Sequence, residues 1–199
     1  MLHEKLKAET AQAHNDLEQA MFVNDIMKKT LTQDQYQDLL AANYLTHLFY
    51  ERAIFKALSP QIADQLDLTS RDKIAALEED IEQAGLQQSS LQTLISESIE
   101  PIQDSAFALG AMYVLEGATL GGSVIVKQLK LNPNFKETQT FGYYGCYGDK
   151  LIPNWQQFLS VLNALPEDQH KQALAGALFM FNEIARITNI VKLERFQLS

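Results

Sequence analysis

Apolar residues recur along this chain at spacings of three and four, the repeat of helices that each bury one face. Leu2, Leu6, Thr10, Ala13, His14, Leu17 and Met21 share such a face and predict a first helix. A second long pattern opens at Thr32-Gln33-Asp34-Gln35, whose spacing is that of a capping box. It continues through Tyr36, Leu39, Leu40, Asn43, Tyr44, His47, Leu48, Glu51, Ile54 and Phe55 to Leu58. Ser59-Pro60 should end it and open a short helix, since proline suits a first helical turn and no later one. Thr69-Ser70 is expected to cap a helix carrying Ile74, Leu77 and Ile81, closed by Gly85. Residues 87–100 are polar and weakly patterned, and read as a further helix. From Pro101 an apolar helix should run through Phe107, Met112, Val114 and Leu115, meet Gly117, Gly121 and Gly122, and end at Asn132-Pro133. Residues 141–149 form a Gly/Tyr-rich loop. Pro153 and Pro166 each mark a possible helix start, and the last helix carries Leu174, Leu178, Phe181, Ile184 and Ile187. No run alternates with period two and no repeat is evident, so the expected class is all-α.

Length and composition narrow this picture. A chain of 199 residues can build one substantial core, so a single domain over 1–199 is expected. No stretch is expected to reach the roughly 20 apolar residues of a membrane helix, and the first residues open into a charged amphipathic pattern unlike a signal peptide. Cys146 is the only cysteine, which rules out an intramolecular disulfide and a Cys-based zinc site. The expectation is a cytoplasmic protein without membrane insertion. The formal charge is −9. Without a cluster of Lys and Arg, such a chain is a poor partner for nucleic acid.

Two constellations could carry chemistry. His14 lies on the apolar face of the first helix, with Glu18 one turn later. At that spacing a carboxylate can hold the proton of one imidazole nitrogen and leave the other free as a metal ligand. A core histidine satisfied by a nearby glutamate would give the same pair. Gly117-Ala118-Thr119-Leu120-Gly121-Gly122 interrupts an apolar helix, where three glycines together cost about 1.5–3 kcal/mol relative to alanine. Such a run suits a flat macrocycle lying on the backbone. It equally suits close packing against a second helix.

Taken together the patterns are more specific. Residues 6–18, with L-x-x-x-T-x-x-x-H-x-x-x-E spacing, resemble the first helix of the heme oxygenase family. Tyr113-Val114-Leu115-Glu116-Gly117-Ala118-Thr119-Leu120-Gly121-Gly122 resembles the distal helix of its bacterial branch. Tyr143-Tyr144-Gly145-Cys146-Tyr147-Gly148 is similar to the aromatic loop that follows. The resemblance implies a helical bundle that holds haem between the first helix and a glycine-kinked distal helix. It makes His14 the proximal iron ligand, Glu18 its orienting partner, and Gly117, Gly121 and Gly122 the backbone surface over the ring. Lys7, Tyr143 and Tyr147 would help to hold the cofactor. The implied reaction is O₂-dependent cleavage of haem to biliverdin, CO and ferrous iron, with electrons from a separate reductase or ferredoxin.

The chain departs from the family pattern in two places. Mammalian members carry an aspartate after the first distal glycine, where this chain has Ala118, which leaves backbone carbonyls at 117–120 as the expected holders of a distal water. Cations expected after the aromatic loop are replaced by Pro153-Asn154-Trp155-Gln156-Gln157, so Lys127, Lys150 and the loop tyrosines are the other candidates for the propionates. Of the remaining residues, His47 reads as structural, His3 as solvated, Glu78-Glu79-Asp80 as a solvated face and Cys146 as an incidental thiol. Glu167-x-x-His170 is one copy of a motif that di-iron bundles need twice. There is no G-x-G-x-x-G, P-loop or H-E-x-x-H. A haem-binding protein without activity, or a helical interaction module without haem, are the competing functions.

Overall fold

The first sequence pattern is split in two. Thr10 adopts φ −102° and ψ 4° between α1 (Leu2–Glu9) and α2 (Ala11–Ala20). Its buried hydroxyl donates to the Leu6 carbonyl at 2.8 Å, a bond back into the preceding turn that bends helices. The computed structural model describes residues 1–95, 102, 104–138 and 140–198, with side chains as far as 194. After the short α3 (Val23–Lys28), α4 (Gln33–Ala57) starts at the expected capping box. Gln35 N–H donates to Thr32 Oγ1 at 3.1 Å, and Thr32 N–H donates to the Gln35 side chain at 2.9 Å. Ser59 and Pro60 then open α5 (Pro60–Leu66), as the sequence implied.

Two expected helix starts move. Thr69 and Ser70 cap nothing; they lie in a 3₁₀ turn over Leu68–Arg71. The start of α6 (Ile74–Gln83) is held by Asp72 Oδ1, which accepts from Ile74 N–H at 3.0 Å. Gly85, at φ 75°, closes that segment in the left-handed conformation that suits glycine. The weak pattern over 87–100 yields only α7 (Gln88–Gln92), and residues 96–100 lie outside the described residues. Pro101 does too. The long apolar helix α8 (Ser105–Leu131) starts at Asp104, whose carboxylate accepts from Phe107 N–H at 2.7 Å. Its helical assignment continues through Gly117, Gly121 and Gly122 to Asn132. Turns over 141–147 lead to α9 (Leu151–Asn163), and a 3₁₀ turn after Pro166 leads to α10 (His170–Leu198). No strand occurs among the described residues.

The core is built around the crossing of α8 and α10. A Cβ on Gly110 would lie 1.8 Å from the Ala173 carbonyl oxygen, and one on Gly176 would lie 2.0 Å from that of Phe107. Backbone therefore meets backbone at two points, a contact open only to glycine. Helix-to-helix packing, which the sequence left open for Gly117 and Gly121, belongs instead to Gly110 and Gly176. The expectation about apolar length also changes. Both 105–131 and 167–194 are long and apolar enough to cross a membrane by length and composition, and 50% and 44% of those windows are buried in the core. Their apolar faces are shared between α8, α10 and α4, which the buried side chains join in one cluster.

Candidate functional site

A cavity of about 690 Å³ opens between α1–α2 on one side and α8 on the other. Its volume lies within the roughly 300–1,000 Å³ typical of cofactor sites. Lys7, His14 and Glu18 stand on the first wall, and Gly117, Ala118 and Gly121 form the second. At one end sit His3, Tyr113 and Trp155, packed ring edge to ring. Asn43 and Thr46 of α4, with Tyr143 from the aromatic loop, make the inner wall.

His14 is 56% exposed and Glu18 48%, with His14 Nδ1 3.8 Å from Glu18 Oε2. That distance is an ion-pair approach, longer than a hydrogen bond. The exposure removes the alternative of a buried core pair. Phe181 of α10 meets the imidazole edge-on with ring centres 6.0 Å apart and limits its tilt. Since Nδ1 faces the carboxylate, Nε2 is the nitrogen available to a ligand.

The facing wall is bare backbone. A Cβ on Gly117 would meet only the edge of Trp155, at 3.8 Å, and one on Gly121 only Ile125 Cδ1, at 3.9 Å. Neither glycine is needed for packing. Both leave space that a flat ligand can use.

Gly122 and Tyr147 require correction. Gly122 turns away from the cavity, and a Cβ there would lie 2.2 Å from the Tyr144 carbonyl oxygen. Its smallness seats the aromatic loop on α8. Tyr147 lies outside the large cavity and donates its hydroxyl to Glu116 Oε1 at 2.7 Å. Tyr143 and Tyr144 of the same loop do line the cavity. Lys7 is the only Lys or Arg lining it among the described residues; Lys127 and Lys150 do not.

Asp80 was expected on a solvated face, yet it is 1% exposed. Its two oxygens accept from Gly142 N–H at 2.8 Å and Tyr143 N–H at 2.9 Å. Burial pushes its carboxyl above the ordinary value against these two bonds. The loop that carries Tyr143 into the cavity is thereby tied to α6.

A buried charge network, not evident from the sequence, fixes the other end of that loop. Glu116 accepts from Arg71, from Lys73 Nζ at 2.8 Å and from Tyr147. Arg71 also donates to the Leu66 and Asn154 carbonyls, at 2.7 and 3.0 Å, and to Gln157. Lys73 Nζ donates to the Arg71 carbonyl at 2.9 Å. One signal was available in the sequence: Glu116 is the only charged residue between Ser105 and Val126. Because Glu116 adjoins Gly117, the network helps to fix the rotation of α8 that turns Gly117 and Gly121 to the cavity. His47 is buried, with Nδ1 2.6 Å from Glu51 Oε2 and Nε2 3.2 Å from Tyr143 Oη, so both its nitrogens are engaged within the protein. His3, expected in solvent, donates its backbone N–H to Asn163 at 3.0 Å and turns its ring to the cavity.

The arrangement sets an available imidazole nitrogen across a slot from an unobstructed helix backbone, with a polar inner wall and one lysine beside it. It can grip a flat, metal-bearing ligand from both faces. Comparison with known proteins identifies the family and the fold. A family model described as Heme oxygenase matches residues 1–188. The fold is similar to the NO- and CO-bound heme oxygenase of Neisseria meningitidis, with TM-score 0.73, 18% identity and coverage of 96% of this chain and 92% of that one. It is similar to the heme oxygenase of Leptospira interrogans, with TM-score 0.75, 16% identity and coverage of 94% and 98%. It also resembles a heme oxygenase of the cyanobacterium Synechocystis in complex with heme, with TM-score 0.69, 15% identity and coverage of 99% and 97%. Among curated proteins none matches the sequence.

Proposed function

The chain belongs to the heme oxygenase family, and on that premise we propose that residues 1–199 form one domain that binds haem in the cavity and degrades it. Haem is both substrate and cofactor: its iron activates O₂ and its own ring is opened, giving biliverdin, CO and ferrous iron. The observation that carries the reading is His14 Nε2, free on one wall, opposite Gly117 and Gly121, whose bare backbone leaves room for a flat ring.

In this reading His14 Nε2 binds the iron. Glu18, 3.8 Å from Nδ1, draws in to hold the ring's other proton and raise its basicity. Gly117 and Gly121 allow the ring to approach α8, and Tyr143 lies at its inner edge. Lys7 pairs with a propionate at the mouth. The chain carries no recognised nucleotide-binding motif, so the electrons come from a separate reductase or ferredoxin. A reducing cytoplasm suits a chain with the single thiol Cys146.

Haemin titration tests this reading. One equivalent should give a sharp Soret band with a histidine–iron stretch in the resonance Raman spectrum of the reduced form. His14→Ala should lose that stretch and recover a five-coordinate spectrum with added imidazole. A histidine-ligated spectrum that persists in His14→Ala would overturn the assignment. The sparse cations and Ala118 favour one alternative, a haem carrier without turnover, which would show the same bands and no bile pigment on reduction in air.

A further inference from the structure

Two stretches of the chain that carry lysine and no acid meet at one edge of the cavity. Residues 26–33 hold Lys28 and Lys29, and residues 118–136 hold Lys127, Lys130 and Lys136. The fold joins them. Asn132 and Asn134 both donate their side-chain amides to the Leu31 carbonyl at 2.9 Å, and Gln33 donates to the Asn134 carbonyl at 3.2 Å. Leu31 and Asn132 are 101 positions apart, so no basic cluster shows in the sequence itself. All five lysines are exposed. With the flanking Asp25, Asp34 and Glu137 the two stretches carry +2, five lysines less three carboxylates, on a chain of −9.

The same edge is apolar as well as basic. Met27, Val124 and Leu131 are 49%, 46% and 55% exposed, half of the large apolar side chains that stand in solvent among the described residues. Val124 and Leu131 continue the face of α8 that Gly117 and Gly121 open to the cavity, at helical steps of three and seven. Met27 follows the buried Ile26 on α3, which packs on α8. The cavity reaches this edge through Met21, Val23 and Ile125, each partly exposed. Interfaces between proteins favour arginine and aromatic side chains and are depleted in lysine. These two stretches hold no arginine, and their one aromatic residue, Phe135, is buried. Lysines interleaved with apolar side chains suit an anionic lipid surface, where the ammonium groups meet headgroup phosphates and the apolar groups enter the acyl boundary. We infer that this edge docks reversibly on an anionic bilayer, with the α3 side of the cavity facing the lipid, so that a flat apolar substrate passes between membrane and cavity. Such docking leaves every helix in the bundle and immerses only side chains.

The purpose of docking, though not the docking itself, rests on the haem reading above, so the edge is tested first on haem-free protein. In about 0.1 M salt, where charges still act over roughly 10 Å, vesicles of mixed phosphatidylglycerol and phosphatidylcholine should sediment the wild type. Vesicles of phosphatidylcholine alone should leave it in solution. The triple variant Lys28→Gln, Lys130→Gln, Lys136→Gln should bind about 100-fold more weakly, at about fivefold for each lysine. The double variant Met27→Ser, Leu131→Ser should melt like wild type and bind about tenfold more weakly. None of these five residues lines the cavity, so both variants should take up haemin from water at the wild-type rate, and from haemin-bearing vesicles more slowly. A wild type that stays in solution with the anionic vesicles, or sediments equally with neutral ones, overturns the proposal. So does a double variant that binds as tightly as wild type, because the lysines would then act alone. Salt-sensitive binding of polyglutamate without sedimentation on vesicles would assign the edge to an acidic protein instead. A wild type that sediments with anionic vesicles yet gives no Soret band would refute the haem reading and leave the docking edge standing.

Discussion

The glycines near the cavity show how much one carbon atom decides. Gly121 and Gly122 are adjacent in sequence and would be hard to tell apart without the structure, because both read as one small-residue run. They face opposite partners: Gly121 looks into open cavity, whereas Gly122 has the Tyr144 carbonyl against it. Gly121→Val should therefore fold with a melting temperature near wild type while binding haemin far more weakly, because its branches occupy the slot. Gly122→Ala should do the reverse at first. Its methyl group forces the loop off α8, a strain of about 1–3 kcal/mol by analogy with overpacked cores. Haem affinity falls only through displacement of Tyr143. Thermal melting of the haem-free proteins beside haemin titration of each separates the two roles, and equal melting losses in both variants would contradict the assignment. The place of His14 was legible in the sequence only when its spacing to Glu18 was read together with the glycine run of α8 and the aromatic loop, since a core pair would give the same spacing. Tyr147 was misplaced because loop sequence does not say which tyrosine turns inward.

Among the elements, α8 carries most of the design. Its glycines at 110 and 122 serve packing, those at 117 and 121 serve the cavity, and Glu116 locks its rotation between them. The helix and its end at Asn132 were plain from apolar periodicity. Its true start at Asp104 was less so, since the capping carboxylate competes with a nearby proline for the same signal. The Arg71–Glu116–Lys73 cluster was illegible because Glu116 lies 45 and 43 positions from Arg71 and Lys73. Before folding, Arg71 and Lys73 look like any polar turn. Glu116→Gln leaves two buried cations without their counter-ion, and breaking a buried pair in this way costs about 3–5 kcal/mol. Urea unfolding should show a loss of that size. A loss below about 1 kcal/mol, the range of surface pairs, would mean that the cluster is solvated in solution.

At the scale of the whole molecule, helices that would be amphipathic alone become a bundle in which the polar groups are used twice, once to fix the frame and once to line the cavity. The helical class was legible throughout, since apolar spacing survives any tertiary arrangement. The path of the loop over α8 was not, because it depends on Asp80, which reads as surface in sequence and is buried by the fold. The buried Glu51 also shapes the response to acid. Glu51 titrates below its ordinary value of 4.5 when folded, so its contribution to stability is complete above that value and is lost as pH falls through the lowered one. Melting temperature should hold steady from neutral pH down to the carboxylate range and then drop. Glu51→Gln should start lower and flatten that acid limb, and an unaltered limb would show that the Glu51 pair forms no part of it. Bound haem should raise the melting temperature with haemin concentration, because only the folded bundle offers the two walls. The most direct test of the account is a single aerobic turnover. The one-to-one haemin complex is mixed with an electron-supplying reductase and followed by absorbance, with carbon monoxide trapped in parallel. The account predicts that the Soret band decays as a bile-pigment band rises, with one CO released per haem lost; a Soret band that persists under reduction in air, with no CO and no pigment, would contradict it.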